Sequence, residues 1–252
     1  MFADALRIAP GFMRSHTALL LFVVSVGIQG AALRVALQRT RPLATAPVDD
    51  CDLAVRGTAQ EPGVEMASDL PELTEPIDDV EVPSSPDRLP GAARTYRGGV
   101  HEGVDFRCPR GTPVHAAQDG TVLTIENEPV LPEAQRNTLL RQCRELGDTP
   151  PEVLKALHGR RVTLNLGVRD GHLYTASYSH LDSIRSDLRP GMPVREGEVI
   201  GKSGASGTSH AYLHDGWGEV HFELRRDGQP LGLGLPPADA AQLYRDAFGE
   251  GR

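Results

Sequence analysis

From about Tyr96 onward the 252-residue chain is cut into short runs by Asp-Gly pairs, at Asp119-Gly120, Asp170-Gly171 and Asp227-Gly228. An Asp-Gly pair between two alternating runs favours a tight hairpin, because both central positions tolerate positive φ. "TPVHAAQDGTVLTIEN" therefore reads as strand, turn, strand, and "RRVTLNLG" with "LYTASYSHL" as a second such pair. "MPVREGEVIGKSG" and "GEVHFELRRDGQPL" follow, the latter holding the third turn. Strands at this spacing predict a mainly β fold, an antiparallel sheet with a barrel-like or sandwich core. One segment, 131–159, breaks the pattern and reads as an inserted α-helical hairpin. Pro132 suits a first helical position, Leu139, Leu140, Cys143 and Leu146 form an apolar stripe, and Gly147 terminates it. "TPPE", Thr149 to Glu152, fits a capping box for a second helix that Gly159 ends. The tail, 236–252, reads as one short helix.

The first part of the chain has a different texture. Arg7, Arg14 and His16 precede "TALLLFVVSVGIQGAAL", and the small residues Gly30, Ala31 and Ala32 follow the apolar run. Residues 1–37 thus read as a signal peptide or an N-terminal membrane anchor, with an exported, periplasmic or cell-envelope domain behind it. Residues 38–95 are rich in Pro and acid, and between Asp49 and Asp87 acidic residues outnumber basic ones twelve to one. Such composition predicts a disordered, self-repelling linker. The net charge of -8 and the lack of a basic stripe with interleaved aromatics argue against a nucleic-acid role. Of three cysteines, Cys108 and Cys143 are the better pair for a disulfide in an exported chain; the alternative is two reduced thiols.

Two short stretches carry the chemistry. "HEGVD" sets His101 and Asp105 four apart on a turn entering a strand, and both side chains are natural zinc ligands. In "GWGEVHFEL", strand alternation sends Val220, Phe222 and Leu224 to one face and Glu219, His221 and Glu223 to the other. Adding His221 to His101 and Asp105 makes a three-ligand set with an open fourth position, the layout of a catalytic zinc site.

"HEGVDFRCPRGTPVHAAQDGTV", "YTASYSHL", "PGMPVREGEVIGKSGASGTS" and "VHFEL", in that order, resemble the lysostaphin/LytM-type zinc metallopeptidases from about Val100 to Pro230. The resemblance implies a LytM-type fold (the duplicated hybrid motif) over 96–235, one Zn²⁺ on His101, Asp105 and His221, and a catalytic role for His180. It also implies hydrolysis of peptide cross-links or stem peptides of bacterial peptidoglycan. The chain departs from that family at one position: Glu219 stands where the first His of its H-x-H motif is found. Either Glu219 is a general base, with His180 hydrogen-bonded to the developing oxyanion, or catalysis is impaired. In the second case the groove binds peptidoglycan or regulates a partner, another cell-wall hydrolase or a divisome component. The loop "GTSHAYLHDGWGE" adds His214 and Trp217 as candidate substrate contacts, and Tyr178, two before His180, is a candidate to polarise the scissile carbonyl.

Overall fold

In the computed structural model, residues 70–213 and 215–250 are described. The predicted segment 1–37, most of the linker, Cys51 and His214 lie outside them. Ten strands and three helices run in the order β1 (Val104–Pro109), β2 (Pro113–His115), β3 (Gly120–Asn127), α1 (Glu133–Leu146), α2 (Pro151–His158) and β4 (Arg160–Arg169). The order continues with β5 (His172–Leu181), β6 (Ser183–Ile184), β7 (Pro193–Val194), β8 (Val199–Lys202), β9 (Trp217–Arg226), β10 (Gln229–Pro230) and α3 (Pro237–Phe248). All strand pairings are antiparallel: a large sheet in the order β1-β9-β5-β4-β3-β7, with β10 on β9, and a small one in the order β2-β8-β6. The expected mainly β, antiparallel architecture with an inserted helical hairpin is thereby realised. No helix among the described residues is long and apolar enough to cross a membrane.

Two of the three Asp-Gly turns close hairpins, β4–β5 and β9–β10. The third does not: β2 and β3, on either side of Asp119-Gly120, belong to different sheets. Three residues of the "TPVHAAQDG" run pair with β8, and the chain then crosses to the other sheet. Alternation on β9 places Val220, Phe222 and Leu224 in the core. There Phe222 meets Phe106 and Tyr178 edge-on, and Phe248 of α3, at centroid distances of 6.3, 5.3 and 5.4 Å. The tail helix α3 thus closes the apolar face of the sheet.

The linker expectation fails for residues 70–95. Leu73, Ile77, Val82 and Leu89 are buried in the same core, the Leu73 N–H donates to the Ala247 carbonyl at 2.8 Å, and the Val82 N–H to Glu250 Oε1 at 2.7 Å. Apolar residues spaced through the acidic run find a groove to fill, so the ordered domain begins well before residue 96.

The hairpin forms as expected and Gly147 terminates α1 at φ 74°, but its details differ. Arg136, Leu140 and Cys143 face inward and Leu146 points to solvent. The Thr149 hydroxyl does not cap α2, whose N-cap is Pro150. It donates instead to the Gly98 carbonyl at 2.8 Å and accepts from Arg97 Nη1 at 2.9 Å, tying the hairpin to the loop before β1. Cys108 and Cys143 are both free, buried thiols. The disulfide expectation fails because Cys108 packs inside the sheet core, where Ser203 and Thr112 hydrogen-bond it. Cys143 lies on the α1 stripe beside Arg97, outside that core.

Candidate active site

β1 and β9 are neighbours in a register that pairs Asp105 with His221 and Arg107 with Glu219. His101, four residues before Asp105, folds back from the preceding loop onto the same spot. Three atoms then converge: His101 Nε2 lies 3.0 Å from Asp105 Oδ1 and 2.8 Å from His221 Nδ1, and His221 Nδ1 lies 2.8 Å from Asp105 Oδ1. All three residues are buried.

What surrounds them fixes their orientation. His101 Nδ1–H donates to the Leu89 carbonyl at 3.0 Å, which turns Nε2 inward. His221 Nε2–H donates to Glu223 Oε1 at 3.0 Å, which turns Nδ1 inward. Arg94 Nη2 donates to Asp105 Oδ2 at 3.1 Å, leaving Oδ1 for the centre. Outer hydrogen bonds of this kind set the tautomer and aim of metal-binding imidazoles and carboxylates. Two nitrogens and one carboxylate oxygen, so aimed, suit zinc.

The electrostatics agree. Burial alone would raise Asp105, but hydrogen bonds and charge from His101 and His221 hold it well below the usual carboxylate range. Burial alone would lower His221, yet Asp105 and Glu223 raise it to about 9. The negative charge that Asp105 and Glu223 place around the ring is the kind that would also stabilise a bound dication. Glu223 has no solvent exposure; against its burial, the bond from His221 and the proximity of His158 hold it ionised, and Arg225 Nε donates to it at 2.8 Å.

Glu219 lies one β-pleat along from His221, at the start of a small cleft lined by Arg107, Ala205, Thr208, His210, Trp217 and Gly218. Its N–H donates to the Gly204 carbonyl at 2.9 Å. That close approach requires a glycine beside it, since a Cβ on Gly218 would fall 2.2 Å from the same oxygen. Burial and the Asp105 carboxylate raise Glu219 to about 7, the range in which a carboxylate exchanges protons readily near neutrality.

His180 reaches the site by an irregularity. Its φ is 63°, and the β4–β5 register shifts between Arg160 and Val162, so an extra residue of β5 faces one of β4. Such a bulge redirects a side chain. The His180 ring centroid lies 5.7 Å from that of His221, and Nδ1–H donates to the Ser206 carbonyl at 2.9 Å. Burial and the neighbouring His221 lower its pKa to about 4, so the ring is neutral and its Nε2 is an acceptor. The expected hydrogen bond from His180 to an oxyanion would therefore first need a proton placed on Nε2.

Tyr178 is not at the site. The bulge breaks the alternation between positions 178 and 180, so Tyr178 stays on the core face, fully buried, with its oxygen accepting from the Ala117 N–H at 2.8 Å. Trp217 is 45% exposed at the rim of the cleft, with the Arg107 guanidinium 5.2 Å from its ring centroid. His115 and His172 sit at the periphery, the latter paired with Asp227.

Sequence reasoning missed three supports. Leu89 and Arg94 come from the stretch read as linker. His158, read as merely closing a helix, is buried, stacks on His221 with centroids 5.3 Å apart, and has Nε2 3.4 Å from Glu223 Oε1. Arg161 Nη1 donates to His158 Nδ1 at 2.9 Å, so Nε2 carries the proton that points at Glu223. Nothing in the local sequence distinguishes this histidine from an ordinary helix end. His158, His221 and Glu223 lie close enough to hold an ion, but the proton on His158 Nε2 makes the group a chain of donors onto Glu223.

Residues 152–232 match the family model described as Peptidase family M23. The match includes His180, Glu219 and His221. Over 164 residues the chain is 27% identical to the DD-carboxypeptidase/endopeptidase Mpg of Neisseria meningitidis, covering 64% of this chain and 28% of the relative. Over 137 residues it is 27% identical to the peptidoglycan DD-endopeptidase ShyA of Vibrio cholerae, covering 54% and 23%. The chain thus spans about a quarter of the length of these curated relatives. Among solved structures, a zinc-containing peptidase from Vibrio cholerae aligns with TM-score 0.41 and 21% identity over 66% of this chain and 41% of that one. The catalytic domain of lysostaphin from Staphylococcus simulans aligns with TM-score 0.35 and 17% identity over 69% and 89%. With its LytM-type motifs in order and the match over 152–232, this part of the chain is similar to peptidase family M23.

Proposed function

We propose that the protein is an exported zinc-dependent endopeptidase that hydrolyses peptide cross-links or stem peptides of bacterial peptidoglycan. The observation that carries this reading is the convergence of His101 Nε2, Asp105 Oδ1 and His221 Nδ1 within 3.0 Å of one another, with Glu219 one β-pleat away at a small cleft. The peptidoglycan peptidases among its relatives support the substrate class.

His101, Asp105 and His221 would hold the ion, which when bound supplies Lewis acidity to the scissile carbonyl and lowers the pKa of water. Glu219 takes the proton of the attacking water and returns it to the departing amine. Its elevated pKa suits both transfers. His180, neutral and fixed by Ser206, presents Nε2 as an acceptor that takes the second proton of the attacking water and passes it to the leaving amine. Glu223, Leu89 and Arg94 keep the ligand atoms aimed.

One observation favours a second reading. Glu219 replaces an imidazole that the resemblance leads one to expect, and a domain disabled at that step would bind peptidoglycan or regulate another cell-wall hydrolase. Metal analysis of the full chain and digestion of purified peptidoglycan separate the two. The peptidase reading expects roughly one zinc per chain, lost in Asp105→Ala, and release of soluble peptides that a chelator stops. Zinc without peptide release supports the regulator, and no zinc overturns the peptidase.

A further inference from the structure

Arg107 sits two residues beyond Asp105 on β1 and opposite Glu219 on β9. Strand alternation therefore puts it on the metal-ligand face. Its side chain is exposed, forms no ion pair among the described residues, and lies over Trp217, its guanidinium 5.2 Å from the ring centroid. A guanidinium held near an indole by cation–π attraction and free of any ion pair presents a fork of N–H donors that matches the two oxygens of a carboxylate. Asp105 and Glu223 already have Arg94 and Arg225 as partners, whereas Arg107 lines the cleft with no ion-pair partner among the described residues. The lining also includes Ala205, Thr208 and His210.

We propose that the cleft lined by Arg107 and Trp217 is a subsite whose Arg107 binds a carboxylate of the peptide substrate at its mouth. The assignment rests on the peptidase reading of the same site and names the substrate feature it selects. Two residues of strand span about 7 Å, and an extended peptide advances about 3.3–3.4 Å per residue. The recognised carboxylate is thus carried about two residues from the bond that is cut. In a stem peptide that group is either the C-terminal α-carboxylate or a free carboxylate on an internal acidic residue.

Trp217 is the only tryptophan of the chain, so its fluorescence reports the cleft directly and without turnover. The full-length, zinc-loaded protein is mixed with two pairs of probes and read before any hydrolysis. One pair is N-acetyl-Lys-D-Ala-D-Ala and its C-terminal amide; the other is N-acetyl-Ala-γ-D-Glu-Lys-amide with the Glu α-carboxylate free or amidated. In at least one pair the carboxylate form binds about 10- to 100-fold more tightly than its amide, the range expected for hydrogen bonds to a charged group. The pair that differs identifies the source. Arg107→Ala erases the difference, and Arg107→Lys, which keeps charge but not the fork, restores only part of it. Equal titration by both members of both pairs overturns the subsite, as does a preference that survives in Arg107→Ala. Peptidoglycan hydrolysis is measured separately: its absence beside an intact carboxylate preference counts against the peptidase reading alone.

Discussion

The two faces of β9 are built from alternate residues of one strand and obey opposite rules. On one, Val220, Phe222 and Leu224 have no solvent exposure and are surrounded by aromatic and aliphatic side chains. That face contributes stability through apolar burial, and its residues are interchangeable in kind though not in volume. On the other, His221 and Glu223 are as deeply buried but ionisable. Burying them is costly, and only complete pairing offsets the cost. Each polar atom there is accordingly accounted for: His221 between Asp105 and Glu223, Glu223 between His221, His158 and Arg225. The difference teaches that stability and chemistry are separable here by residue parity, and substitutions on each face can break or sharpen that separation.

The largest effect belongs to the core face. Phe222→Ala should cost about 3–5 kcal/mol in denaturant unfolding; a cost below about 1 kcal/mol would show that α3 and Phe106 do not close over it. Next comes Glu223→Gln, which keeps the shape but weakens the acceptor for His221 Nε2–H. Zinc affinity should fall about 10- to 100-fold in competition with a chelator, with the circular dichroism spectrum unchanged. A loss of folded signal instead would place Glu223 with the stabilising face. The smallest effect is expected for Arg94→Ala, which frees Asp105 Oδ2 and the Asp87 carbonyl: about a 10-fold loss of zinc affinity, at the low end for such outer contacts. No change at all would detach the segment before residue 96 from the metal site.

The parity itself was legible in "GWGEVHFEL", because strand alternation is a property of the backbone and needs no partner to be read. The ligand set was legible too, though the register that brings Asp105 opposite His221 is a matter of which strands become neighbours, 116 residues apart in the chain. What stayed hidden had physical causes. A bulge adds one residue to β5 without any local composition to announce it, so Tyr178 and His180 were assigned to one face when they occupy two. The segment 70–95 looks disordered by its acid and proline content, yet four well-spaced apolar side chains anchor it and deliver Leu89 and Arg94 to the site. His158 is positioned only by how the inserted hairpin docks.

The central claim is that Glu219 works as the base in a position where the resemblance leads one to expect histidine. The most direct test is release of soluble peptides from purified peptidoglycan by the zinc-loaded full chain, compared with Glu219→Gln and Glu219→His at equal zinc content. The account predicts an active wild type and a loss of about 10²- to 10⁴-fold in Glu219→Gln. An inert wild type beside an active Glu219→His would contradict it.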